Sequence, residues 1–326
     1  MVNHSTDRGG GGHVRTHAVV FERPQAVTLR QLELTRPEPD QVLVDVEWSG
    51  ISTGTEKLLW SGRMPMFPGM GYPLVPGYET VGRVAVSGVA ADVVPGQRVF
   101  VSGARCYGEV RGLFGGAASR LVADRSKLVP VDDELGEDAV LFALAATAYH
   151  ALVRDEQPQL PGLIVGHGVL GRLLARLTIA LGGTPPTVWE TNPKRASGAA
   201  GYEVVDPAAD SRTDYGRIVD ASGDSALLDV LIQHLARRGE IVLAGFYAEP
   251  LSFTFPPAFI REASIRIAAE WAGDDLQNVK LLVDSGALSL AGLISHRAPA
   301  AEAESAYQSA FLDPDCLKMV LDWRSA

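Results

Sequence analysis

Leu163-Ile164-Val165-Gly166-His167-Gly168-Val169-Leu170-Gly171 is a short apolar run that ends in Gly-x-Gly-x-x-Gly and opens a segment with leucines at 170, 174, 177 and 181. The run has the length of a buried strand, and the four-three-four leucine spacing puts one apolar face on a helix. Strand, glycine turn and helix in that order make a dinucleotide-binding unit. The first glycine permits the tight turn, the second lets backbone approach a pyrophosphate, and the third lets helix pack on strand, while the helix N-terminus offers unpaired N–H groups to the anion. The acidic residue expected about 20 positions on, at the end of a second strand over 187–189, is Glu190. Its carboxylate can accept both ribose hydroxyls and would repel a 2′-phosphate, so the expected cofactor is NAD. Lys194 and Arg195 keep NADP open, because they could pair with that phosphate if Glu190 turned away. The plain alternative is a strand-to-helix turn with Glu190 as a solvated loop residue.

Downstream, apolar runs at 217–220 and 241–244 read as strands around a helix striped by Leu227, Leu228, Leu231, Ile232 and Leu235 and closed by Gly239. A strand over 265–269 and a helix over 274–285 complete an open α/β unit, a doubly wound parallel sheet of the Rossmann kind. Upstream, from residue 16 to about 120, short apolar runs at 18–21, 42–46, 80–84 and 98–101 are cut by Gly and Pro. They read as strands of a β-rich domain with long loops, the longest over 61–76, where function often sits.

At 326 residues the chain exceeds the ~100 to 200 typical of one domain, which supports two. With 46% hydrophobic and 21% charged residues it has globular composition. A net charge of −10 repels a phosphate backbone, which argues against nucleic acid as a partner. The apolar run 139–153 is shorter than the ~18 to 20 residues that span a bilayer, and the stretch 163–181 carries Arg172 and Arg176, so no transmembrane helix is expected. Two cysteines, Cys106 and Cys316, form no CxxC pair and fit a reducing compartment, the cytoplasm. Residues 1–14 are polar and Gly-rich, without the apolar stretch of a signal peptide, and read as a floppy tail.

A dinucleotide domain placed second, after a β-rich domain, resembles the medium-chain dehydrogenase/reductase superfamily. Gly50-Ile51-Ser52-Thr53-Gly54-Thr55-Glu56 is similar to its Gly-x-Cys-x-x-Asp segment with one residue inserted, and Pro76-Gly77-Tyr78-Glu79 to its Pro-Gly-His-Glu. The match extends to Pro95-Gly96-Gln97-Arg98-Val99, to Ala146-Thr147-Ala148-Tyr149-His150-Ala151-Leu152, and to Gly239-Glu240-Ile241-Val242-Leu243-Ala244-Gly245. The resemblance implies a GroES-like catalytic domain over 15–155 and 287–326 and a Rossmann domain over 156–286. It also implies cofactor contacts at Gly166, Gly168, Val169, Leu170, Gly171, Glu190, Thr147 and Gly245. Zinc-dependent members hold the metal with a cysteine, a histidine and a third ligand. Ser52 and Tyr78 occupy the first two positions, residues 143–146 offer no donor side chain, and two cysteines cannot build the four-cysteine structural lobe. Two hard oxygen donors make a poor Zn²⁺ site, so no metal is expected.

Trp48-Ser49-Gly50-Ile51-Ser52-Thr53-Gly54-Thr55-Glu56-Lys57-Leu58-Leu59-Trp60, the run from Phe67 through Pro76-Gly77-Tyr78-Glu79-Thr80, and the end Cys316-Leu317-Lys318-Met319-Val320-Leu321-Asp322-Trp323-Arg324 resemble more narrowly the bacteriochlorophyllide a dehydrogenases of photosynthetic bacteria. That resemblance implies oxidation of a 3-(1-hydroxyethyl) group to 3-acetyl with NAD⁺ as acceptor. Trp60, Met64, Met66, Phe67, Met70 and Tyr72 crowd the long loop and suit a flat macrocycle, or else serve as core and domain-interface residues.

Without zinc, a side chain or a relay must take the hydroxyl proton. Tyr78 lies where the metal would be, and the proton could pass along Thr53 or Thr55 to Glu56, or to His150. The competing readings are that Tyr78 fills vacated space, that Glu56 and Glu79 pair with arginines, and that His150 is an ordinary helix histidine. His296 is read as a loop residue or a ligand to a substrate magnesium. A zinc-free NADPH quinone or enone reductase, and a non-catalytic NAD(H)-binding protein, are the alternative functions; a homodimer is left open.

Overall fold

Residues 14–88, 91–154 and 157–326 are described by the structure, a computed structural model. The expected boundary at residues 155 and 156 and the expected tail, apart from Val14, lie outside the described residues. Val14 is already tied down, its carbonyl accepting from Leu34 N at 2.8 Å.

In the N-terminal half, β1 (Arg15–Arg23) and β2 (Ala26–Glu33) form an antiparallel hairpin. The spine of the next sheet is β3 (Gln41–Ile51), followed by α1 (Thr55–Ser61) and β4 (Leu74–Val75), which lies beside β1. Thus the expected long loop is a helix end, a connection and a short strand. β3 pairs antiparallel with β5 (Thr80–Ser87), which pairs with β6 (Arg98–Val101). After β7 (Arg111–Gly112), β8 (Arg120–Asp124) returns to β3 and β9 (Leu128–Pro130) to β6.

From Phe142 to Leu152 runs α2, rich in alanine and leucine and buried on most sides; β10 (Val153–Arg154) and β11 (Gln157–Pro158) then make a small hairpin. The second half alternates β12 (Leu163–Val165), α3 (Val169–Ala180), β13 (Thr187–Trp189), β14 (Glu203–Val205), β15 (Tyr215–Asp220), α4 (Leu228–His234), β16 (Leu235–Leu243), α5 (Phe255–Arg261), β17 (Ser264–Ile267) and α6 (Asp275–Asp284). These six strands are parallel in the order β14-β13-β12-β15-β16-β17. Alternate residues of each strand face opposite sides. Ile164, Val188, Val219 and Val242 pack with α2, α3 and α6, while Leu163, Val165, Ile218 and Ile241 pack with α4 and α5. The order reverses between β12 and β15, and ligands of such sheets bind in the crevice at the strand C-termini there.

Two expectations are corrected. Gly239 does not close a helix: α4 ends at His234, Leu235 already belongs to β16, and Gly239 lies buried inside that strand. Its absent Cβ is required there, since one would meet Leu235 Cδ1 at 2.7 Å. The strand expected over 265–269 is Ser264–Ile267, the chain leaving the sheet two residues earlier.

The chain then returns to the first half. β18 (His296–Pro299) and β19 (Met319–Asp322), joined by a segment that contains α7 (Ala303–Leu312), extend the sheet to the order β18-β19-β3-β5-β6-β9. Met319 sits opposite Ile51, and Val320 opposite Gly50, so the last strand lies against the segment that carries Ser52. His296, expected in a loop, begins β18, and its Nδ1 meets Ser295 Oγ at 2.8 Å.

Candidate active site

The glycine turn is shaped by two different needs. At Gly166 φ is +94°, a left-handed conformation that favours glycine. A Cβ at Gly171 would meet Gly166 O at 1.8 Å, so helix and turn touch backbone to backbone. At Gly168 no protein atom lies within 4 Å of such a Cβ, so the bare backbone there leaves space that the protein does not itself fill. Arg172 N makes a bond to Gly168 O at 2.9 Å, leaving the amides of Val169, Leu170 and Gly171 at the helix N-terminus. This cradle fits the pyrophosphate of a dinucleotide.

Glu190 follows β13 and is held toward the turn, accepting from His167 N at 3.1 Å and from Asn192 N at 2.8 Å. Lys194 is turned to Asp315 (2.8 Å), and Arg195 Nε donates to Pro314 O (3.1 Å), so both basic residues are engaged by the C-terminal segment. Gly245 lies against Gly223, where a Cβ would meet Gly223 N at 2.9 Å. Thr147 donates to its own helix at Ala143 O (3.0 Å).

Two residues to which the sequence assigns no site role belong to this region. His167 is fully buried; its Nδ1 meets the carbonyl of Arg195 at 2.6 Å and so carries the proton, leaving Nε2 to accept from Tyr202 (2.8 Å). Burial holds its pKa below the ordinary value, which keeps the ring neutral. Asp220, at the end of β15, accepts from the amide and hydroxyl of Ser222 at 2.8 and 2.6 Å. An acidic residue closing an apolar strand was the signal that could have marked it.

Ser52, just after β3, and Tyr78, just before β5, come together because those strands pair; Ser52 Oγ lies 2.7 Å from Tyr78 Oη. Burial, together with the neighbouring Glu79, raises the phenol well above its ordinary range, while hydrogen bonds from Ser52 and Thr55 oppose this. Tyr78 therefore stays protonated at neutral pH. The ring stands edge-on to Phe114 at 5.2 Å and near Trp271 at 6.4 Å. Serine and tyrosine oxygens bonded to one another do not fit a zinc site. Among the described residues, no group of three His, Cys, Asp or Glu side chains is arranged to hold a metal.

Next to this pair lie buried ionisable side chains. Glu56 of α1 accepts from Ser52 N (3.2 Å) and from Tyr307 of α7 (2.9 Å). Glu79 pairs with Lys318, whose ammonium also donates to Ile51 O at 3.1 Å. The competing reading paired both carboxylates with arginines; their partners are instead a phenol and a lysine from the returning C-terminal segment.

Burial first, and Glu79 second, push the Glu56 carboxyl up from 4.5 to about 8. The folded state thus binds this proton more tightly than the unfolded chain. The resulting stability is complete below about pH 4.5 and is lost as pH rises through about 8, a change on the order of 3 to 5 kcal/mol. Unfolding midpoints of the wild type should therefore fall more steeply between about pH 5 and about pH 8 than those of Glu56→Gln. Parallel profiles would contradict this.

The remaining candidates are dispersed. Thr53 is exposed. His150 of α2 binds Asp275 at the start of α6, Nδ1 to Oδ2 at 2.8 Å. On the long loop, Trp60 packs on Phe311 at 5.4 Å, Met64 is buried, and Tyr72 donates to Leu59 O. Met70 packs partly buried on the same core, whereas Met66 and Phe67 are exposed.

Residues 38–133 match the alcohol dehydrogenase GroES-like domain. The 2-desacetyl-2-hydroxyethyl bacteriochlorophyllide A dehydrogenase of Rhodobacter capsulatus is 56% identical over 96% of this chain and 100% of its own length. A zinc-binding dehydrogenase of Sinorhizobium meliloti, so assigned provisionally and solved with NADP, superposes with a TM-score of 0.80 at 20% identity, over 95% of this chain and 99% of that one. Acetophenone reductase of Geotrichum candidum, solved with NAD, gives 0.81 at 20% identity over 98% and 100%. At such identities the two structures establish the fold.

Proposed function

Because the chain belongs to the 2-desacetyl-2-hydroxyethyl bacteriochlorophyllide A dehydrogenase family, among the alcohol dehydrogenases with a GroES-like domain, we propose that it oxidises the 3-(1-hydroxyethyl) group of a bacteriochlorophyllide to 3-acetyl without a catalytic metal. The carrying observation is the Ser52–Tyr78 hydroxyl pair at 2.7 Å, standing where zinc-dependent relatives would place ligands.

When bound, a nicotinamide dinucleotide supplies the hydride acceptor. Gly166, Gly168, Gly171 and the start of α3 would hold its pyrophosphate, with Glu190 at the adenosine ribose. Tyr78 and Ser52 orient the substrate hydroxyl and accept its hydrogen bond. Since the Tyr78 phenol is protonated at rest, it relays rather than stores the proton: it takes one from the alcohol as it passes its own to Ser52 or Thr55. Thr55 is half-buried and borders the exposed Thr53 and Gly54, so the relay leads toward solvent, where the proton leaves. The products are ketone, reduced coenzyme and one proton.

NAD rather than NADP is supported by the anchored Glu190 carboxylate and by the engagement of Lys194 and Arg195 with residues 314 and 315. Glu190→Ala should weaken NADH binding by about 1.5 to 3 kcal/mol, roughly tenfold to a hundredfold, with less effect on NADPH, as read by coenzyme fluorescence titration. Equal affinity of wild type and variant for NADH would contradict the assignment.

The free, buried thiols of Cys106 and Cys316 fit a reducing compartment such as the cytoplasm, and no helix among the described residues is long and apolar enough to cross a membrane. A second copy is the occupant we propose for the outer edge of β17, the last strand of the parallel sheet, where Ile267 is exposed; sedimentation at twice the chain mass checks it, and sedimentation at the chain mass contradicts it.

A further inference from the structure

The residues that the long loop was expected to offer a macrocycle mostly spend their surface on the protein itself: Trp60 on Phe311, Tyr72 on the Leu59 carbonyl, Met64 and Met70 on the β-rich core. Other aromatic rings gather at the hydroxyl pair. Phe114 and Trp271 both adjoin Tyr78, at 5.2 and 6.4 Å, and neither is fully buried. They come from different halves of the molecule. Phe114 lies between β7 and β8 of the β-rich half, and Trp271 follows β17 at the C-terminal edge of the parallel sheet, the edge that carries the dinucleotide cradle.

The Trp271 segment is built to hold its shape. Glu270, immediately before it, adopts a left-handed φ of +54°, which a residue with a side chain takes only when its surroundings impose it. Immediately after it, Ala272 N donates to Asp275 Oδ2 at 2.8 Å, and the same oxygen binds His150 Nδ1 at 2.8 Å. His150 thus ties the turn that carries Trp271 to α2, one helical turn beyond Thr147.

We propose that Trp271 and Phe114 form the aromatic faces that receive the flat conjugated ring of the substrate, with its hydroxyethyl arm directed to Tyr78 and Ser52, and that His150 and Asp275 are positioning residues for Trp271. This rests on the pigment reading of the function. A large planar π-system gains most from offset or edge-on aromatic neighbours, and rings converging from both halves would grip it only where hydride and proton must leave. It also gives His150 a task other than proton transfer.

The test titrates the 3-acetyl bacteriochlorophyllide product with protein, following pigment absorbance, beside a parallel NADH titration. Trp271→Ala and Phe114→Ala should each weaken pigment binding about tenfold, while Trp271→Phe keeps most of it and NADH affinity is unchanged throughout, which also shows that the variants are folded. His150→Ala should raise KM for the hydroxyethyl pigment and leave the pH profile of kcat as in the wild type. Pigment affinity equal to wild type in Trp271→Ala overturns the inference alone, as does loss of an ionisation from the kcat profile of His150→Ala for the positioning role. A wild type that binds no pigment overturns the reading of the function and this inference together.

Discussion

Lys318→Met lowers the unfolding free energy by about 3 to 5 kcal/mol, the largest stability effect expected of any single substitution near the site. Lys318 and Glu79 are 2% and 0% exposed, and each is the other's counter-charge. Methionine fills the volume of the lysine stem but strands a carboxylate without solvent or partner, and also removes the donor to Ile51 O. Burial already raises the Glu79 pKa and Lys318 opposes that, so removing the ammonium raises it further. The defect therefore eases as pH falls and the carboxyl protonates. Glu79→Gln combined with Lys318→Met should recover most of the loss, because a neutral pair no longer buries an unmatched charge. Urea denaturation of the wild type, Lys318→Met and the double variant measures this; Lys318→Met as stable as the wild type would show that the pair does not carry the charge balance of the interior.

Tyr78→Phe should reduce kcat by about 10²-fold to 10³-fold while leaving NADH affinity unchanged. Only the hydroxyl is lost. The ring keeps its edge-on contact with Phe114, so the local packing survives. What disappears is the group that bonds Ser52 at 2.7 Å and that we propose to face the reacting oxygen. Ser52→Ala should cost less, since the Tyr78 hydroxyl itself stays in place. Single-turnover rates with the hydroxyethyl pigment separate this from slow product release. A variant within about twofold of the wild type would remove Tyr78 from the proton path.

The nucleotide half could be read from the sequence because its signals are local. Gly166 to Gly171 follow a three-residue strand and open a helix within nine positions, and Glu190 closes the next strand. The leucine stripe of α3 and the order of strands need no distant partner to be recognised. Ser52 and Tyr78 could be singled out only through family resemblance, yet their contact follows from β3 and β5 lying side by side.

The layer beneath them was illegible for a physical reason. Tyr307 reaches Glu56 across 251 positions, and Lys318 reaches Glu79 because β19 pairs with β3. No periodicity or spacing encodes such a pairing; it exists only once the chain has returned to its first sheet. The same limit explains the long loop, where aromatic and methionine residues adjacent in sequence look like one surface. Packing divides them: Trp60 turns to Phe311 of α7, while Met66 stays 81% exposed. Gly239 shows the reverse error, in which a glycine after an apolar stripe resembles a helix end although the strand had begun at Leu235.

In the proposed reaction the coenzyme takes the hydride, and hydroxyl groups in place of a metal ion orient the alcohol and carry its proton away. The most direct measurement is turnover of the 3-(1-hydroxyethyl) bacteriochlorophyllide by purified protein with NAD⁺ after exhaustive treatment with chelator, followed by the red-shifted absorbance of the 3-acetyl product. The rate should be the same with and without chelator, with no gain on adding Zn²⁺. Activity that vanishes on chelation and returns with Zn²⁺ would contradict it.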